Sequence, residues 1–129
     1  MTGNFKFAEL LGRIFIAVLF LTSGIHKIGG YAATQKYMES KGVPGELLPL
    51  VIILEVAGSI AVIVGWQTRL FALGLAVFCI LAALFFHLNF SDQIQSIMFM
   101  KDLAIAGGFF VIFAHGAGDI SLDKRRNKA

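Results

Sequence analysis

The chain has 129 residues, 57% of them hydrophobic and only 15% charged, with a formal net charge of +3. A soluble domain of this length has no use for so much apolar surface. The apolar residues come in long runs, so the class is an integral membrane protein, read as one domain over residues 1–129. The single cysteine, Cys79, lies inside one of those runs, which excludes a disulfide framework and a cysteine-based metal site.

The first run extends from about Ala8 to Ile28, with Arg13 one turn in and His26-Lys27 at its far end. Lys6 and Arg13 give it the look of a signal peptide, but Thr22-Ser23-Gly24 is a poor cleavage site and three more runs follow. It therefore reads as a retained span, ended by Gly29-Gly30. Tyr31 to Lys41 is short and of mixed polarity. It suits a helix lying in the membrane interface, closed by Gly42 and turned by Val43-Pro44-Gly45, although a plain loop fits the same polarity.

The second run, Leu47 to Trp66, carries Glu55 near its middle. Its twenty residues make a helix of roughly 30 Å, the thickness of a bilayer's hydrocarbon core. Its Leu, Ile and Val residues together supply roughly −4 to −7 kcal/mol of insertion free energy, against a cost of about 2.5 to 3.5 for an acid at mid-helix. The segment inserts, and its carboxyl must then face protein or water. Pro49 falls in the first turn, where a missing N–H costs little.

Gly65 to Arg69 makes a tight turn bearing the interfacial Trp66. The third run, Leu70 to Asn89, is apolar until His87, and Phe90 to Ser96 is a short polar link. The fourth run, from about Ile97 to Ala114, has Lys101-Asp102 near its start and Gly107-Gly108 further in. His115 is interfacial, and a polar tail follows. Links this short force neighbouring spans to be antiparallel, which makes the fold an all-α, up-down four-helix bundle in the membrane.

Lys6, Arg69, Lys124, Arg125, Arg126 and Lys128 flank the spans on one side, and only Lys36 and Lys41 on the other. The positive-inside rule puts both termini in the cytoplasm, with the tail as an anchor beside anionic lipid rather than a nucleic-acid surface. His26, Lys27, Glu55, His87, Lys101 and Asp102 then all fall in the outer half of one small bundle, Glu55 about 12 Å deep. Arg13 alone sits in the inner half, where Glu9 one turn earlier can pair with it.

The cluster has several readings. In a structural one, Glu55 pairs with Lys27 or Lys101 and Asp102 with His87, fixing helix register. Such contacts are often worth only about 0.6 kcal/mol in membranes. In a second, the group binds a quinone head group through its carbonyl oxygens, or passes protons through histidine and a buried acid. Haem is a weaker idea, since His26 and His87 both lie near a surface. A transporter would show inverted repeats or broken helices and would need oligomers. Ala72–Ala76 and Ala104–Gly108 have the small-residue spacing of a homo-oligomer contact, which intrachain packing uses as well. No motif for flavin or nicotinamide is present.

Together the polar residues and glycines resemble the DoxX family of small four-helix membrane proteins, from about Ala8 to Arg126. The resemblance rests on Arg13 and on Gly24-Ile25-His26-Lys27 as G-x-x-K. It continues with Gly42-Val43-Pro44, with Glu55-Val56-Ala57-Gly58 as E-x-x-G, and with Gly65 before Thr68-Arg69. Lys101-Asp102-Leu103 leading to Gly107-Gly108 follows, and Gly116-Ala117-Gly118 with Ser121-Leu122-Asp123 closes it. The Ser-Leu-Asp-Lys-Arg-Arg end looks like a cytoplasmic stop.

The resemblance implies a bacterial cytoplasmic-membrane protein, an accessory oxidoreductase subunit linked to quinone or redox stress and working with a redox partner protein. A non-catalytic scaffold with structural charges, holding partners by Tyr31–Lys41 and the basic tail, is the alternative. Some relatives in the wider group carry cysteine pairs for thiol exchange. This chain has one cysteine, so such a role is not expected of it.

Overall fold

The computed structural model describes residues 5–128, so the ends of the expected domain, residues 1–4 and 129, lie outside the described residues. Among those described, every regular element is helical: α1 (Lys6–Gly29), α2 (Tyr31–Ser40), α3 (Leu48–Val64) behind a 3-10 turn at Gly45–Leu47, α4 (Thr68–Phe86), α5 (Gln93–His115) and α6 (Leu122–Lys128). α1, α3 with its leading turn, α4 and α5 are long and apolar enough to cross a membrane. Each packs on the next in sequence, most extensively α4 on α5 and α1 on α3, while α5 returns to touch α1 only lightly.

Close approach in this bundle comes from small residues. Ala72, Ala76, Cys79 and Ala83 recur along one face of α4 and are buried. The core closes around them with Ala17 and Phe20 of α1, Val62 of α3, and Ala106 and Phe109 of α5. The Phe20 and Phe109 rings, 5.5 Å apart between centroids, carry the α1–α5 contact. The Ala72–Ala76 spacing thus faces the bundle's own interior. Gly108 likewise faces Ile16, whose Cδ1 would lie 2.7 Å from an added Cβ.

The mixed-polarity segment after the first span is a helix. α2 crosses one end of the bundle with Met38 buried beneath it and Tyr37 stacked on Phe86 at 5.3 Å. Gly42, at φ 80°, ends it by turning the chain so that Val43 N–H donates to Met38 O at 2.9 Å. The third span stops at Phe86, short of the expected Asn89, so His87 caps the helix rather than lying inside it. The fourth begins at Gln93, not near Ile97, because Asp92 caps it by accepting from Ile94 N–H at 3.0 Å. A polar sequence does not prevent a helix that has a cap.

The expected polar tail folds back instead as a clasp. Asp123 accepts from the backbone N–H groups of Gln67 and Thr68, both at 2.9 Å, and so caps α4 from 55 residues away. Its own N–H donates to Gly65 O at 2.8 Å. Gly65 (φ 75°) has no room for a side chain, since a Cβ there would collide with Ser121 and the Arg13 guanidinium. Arg13 is buried and donates to Val62 O at 3.3 Å and to Ile120 O. The expected Arg13–Glu9 pair gives way to these carbonyls, and Glu9 instead meets His115 Nε2 at 2.8 Å.

Replacing Asp123 with Ala strips the first N–H groups of α4 of their acceptor. It should lower stability by about 1–2 kcal/mol, read as a lower unfolding temperature in detergent, with Asp123→Asn keeping part of the loss back.

Candidate functional site

α1 and α3 run antiparallel, and a helical side chain leans toward the N-terminus of its own helix. Lys27, near the end of α1, therefore reaches down, and Glu55, partway along α3, reaches up to meet it. Lys27 Nζ donates to Glu55 Oε1 and, at 2.9 Å, to Ser23 Oγ one turn back on its own helix. Glu55 is 1% exposed, so this carboxylate is neutralised inside the bundle rather than by water. Phe78 lies beneath the ammonium, with the ring centroid 6.0 Å from Nζ.

Gly24 makes the meeting possible. A Cβ at that position would lie 2.6 Å from Val56 Cγ2 and 3.2 Å from Glu55 Cβ, so only glycine lets the two backbones come this close. The G-x-x-K and E-x-x-G pieces are thus one device, a close crossing with a charge pair beside it.

The second acid lies on α5. Asp102 Oδ2 is 3.7 Å from His87 Nε2, and His87 Nδ1 is held at 2.7 Å by Gln95 Oε1. Both pairs line a single cavity of about 430 Å³. Its remaining walls are mostly apolar: Phe20 on α1, Val51 on α3, Phe78, Cys79, Phe85 and Phe86 on α4, and Met98 on α5. Thr34, Tyr37 and Met38 of α2 close its end. The arrangement suits a molecule with an apolar body and a polar head.

Lys27, Glu55, His87 and Asp102 meet in this cavity, whereas His26 and Lys101 do not line it and are both exposed. His26 and His87 therefore present no common face to an iron. Ser23, Gln95, Thr34 and Tyr37 were not singled out by sequence. Ser23 sits four residues before Lys27 on one helical face, a spacing that could have marked it. No such signal points to Gln95.

A larger cleft of about 670 Å³ lies at the clasp end, among Glu9, Arg69, His115, Asp119 and Lys124. Its charges are largely answered within the chain, Glu9 by His115 and Asp119 by Lys124 at 3.5 Å. The smaller cavity, with two acids set in apolar walls, is the better candidate.

The DoxX family model matches residues 8–88, from the start of α1 past the end of α4. The chain belongs to the DoxX family. It is 50% identical over 119 residues to inner membrane protein YqjF of Escherichia coli (strain K12), covering 92% of each chain. Inner membrane protein YphA of the same organism is 32% identical over 124 residues, covering 90% of this chain and 88% of its own. No solved structure matches it. With its four apolar helices, this DoxX protein is a multi-pass inner membrane protein. The matched residues include Arg13, Lys27, Glu55 and His87, while Asp102 and the clasp lie beyond them.

If the ion pair is self-contained, Glu55→Ala, which strands the Lys27 ammonium, should cost about 3 kcal/mol. The double variant Lys27→Met, Glu55→Leu should recover most of that. Unfolding of wild type, Lys27→Met, Glu55→Leu and that double variant in one detergent gives the coupling energy directly.

Proposed function

We propose that this DoxX protein binds a lipid-soluble ring compound of the quinone class inside the membrane, as an accessory subunit of a redox system. The observation that supports the reading is the apolar cavity with Lys27–Glu55 at its floor and His87–Asp102 on its wall. Two of the three ammonium protons of Lys27 are engaged by Ser23 and Glu55, which leaves one for an oxygen of the ligand. Glu55 keeps that ammonium neutralised without water. His87, held by Gln95 and close to Asp102, is the group suited to exchange a proton with the ligand. Electrons come from a partner protein in this reading. Both termini are cytoplasmic, so that the cavity opens in the outer half of the bilayer.

A second reading keeps the charges purely structural and makes the protein a scaffold. The close crossing at Gly24 favours it, because the ion pair there locks α1 to α3 whether or not anything binds.

Titrating purified full-length protein with short-tailed benzoquinone and naphthoquinone separates the two. Saturable binding that weakens about tenfold or more in Lys27→Met, with unfolding temperature checked in parallel, is the expected result. No binding to wild type, together with a large stability loss in the variant, would leave the scaffold.

A further inference from the structure

The polar wall of the cavity is short of donors. Glu55 is all but fully buried, and Lys27 takes its Oε1, while no hydrogen bond from a described residue reaches Oε2. Asp102, whose side chain is 20% exposed, also receives no hydrogen bond from a described residue: its closest ionisable neighbour, His87 Nε2, is 3.7 Å away, beyond hydrogen-bond reach. The His87 ring is committed on its other side, where Nδ1 faces Gln95 Oε1 at 2.7 Å. An amide oxygen only accepts, so Nδ1 donates in that bond, and in the uncharged tautomer with this proton Nε2 is a lone pair. Glu55 Oε2, Asp102 and His87 Nε2 are then acceptors around one apolar cavity, and no donor from a described residue is engaged with Glu55 Oε2 or Asp102, although the spare proton of Lys27 and the hydroxyls of Ser23 and Tyr37 lie on the same lining.

Acceptors with little access to water, Glu55 most of all and Asp102 and His87 in part, are costly until a donor reaches them, and carboxylates more so than neutral groups. We infer that the cavity binds its ring compound in the hydroxyl-bearing form, as a phenol or aromatic diol, in preference to the dicarbonyl. One O–H donates to Glu55 Oε2 while its oxygen accepts from Lys27. A second O–H, across the ring, donates to Asp102 or to His87 Nε2. A dicarbonyl accepts from Lys27 but brings no proton for Glu55 Oε2 or Asp102, and sets its second oxygen against the lone pairs of the opposite wall. This rests on the proposed ring-compound site and adds to it the redox form that is held.

Two matched pairs of ligands test the preference on purified full-length protein: decylhydroquinone against decylbenzoquinone under anaerobic conditions, and 4-nonylphenol against its methyl ether. The second pair involves no redox change, so it reads the O–H group by itself. The hydroxyl form of each pair should bind about tenfold tighter or more. Asp102→Asn, which brings an N–H₂ donor to the wall, should shrink the hydroquinone preference several-fold, with the unfolding temperature confirming its fold. Binding of benzoquinone and the ether as tightly as their partners would overturn the inference and leave the site standing. If none of the ligands binds, the site fails and the inference goes with it.

Discussion

A carboxylate placed among lipid tails has to be neutralised by a group within side-chain reach, and that requirement organises this bundle. Lys27 meets it for Glu55, and the meeting dictates the rest. It requires α1 and α3 to run antiparallel, so that both side chains lean toward each other. It requires their backbones to cross closely, hence glycine at position 24. It requires an apolar lining thick enough to keep water from screening the pair, which Phe20, Phe78 and Met38 supply. The cavity beside the pair is walled by α1, α3, α4 and α5, and α2 closes its end.

The two ends of the molecule handle buried charge in different ways. At the α2 end, acid answers base, side chain to side chain. At the clasp end, the buried Arg13 is answered by the peptide carbonyls of Val62 and Ile120, which no other residue type would supply differently. A guanidinium suits such a role because its N–H groups fan out in a plane, whereas an ammonium concentrates its donors at one point. Arg13 and Lys27 are therefore not equivalent cations, although both sit on α1.

Much of this was legible in the sequence because hydrocarbon is an unforgiving solvent. Long apolar runs, short links and Glu55 in mid-run fix the four spans and place an acid that needs a partner. What sequence could not supply was facing. Lys101 and Lys27 were equal candidates for Glu55, and only the rotation of α5, which leaves Lys101 exposed and Asp102 on the cavity, separates them. The tail shows the same limit. Ser121-Leu122-Asp123 reads as part of a polar tail, and nothing local says that Asp123 caps a helix beginning at Thr68. Glu9 was assigned to Arg13 on i,i+4 spacing, which ignores any partner arriving from elsewhere, here His115.

The clasp also bears on how the molecule is assembled. Ile120, whose carbonyl Arg13 uses, lies 107 residues further along the chain. As the spans enter the membrane one after another, Arg13 is inserted with its span long before that carbonyl exists. Until then its partners within the chain are the nearby acid Glu9 on the same span and, once the second span has entered, the carbonyl of Val62. The full set of contacts around Arg13 closes only once the tail has arrived. Quality control that samples the nascent protein before that point would meet an arginine short of its last acceptor, and after it a closed clasp.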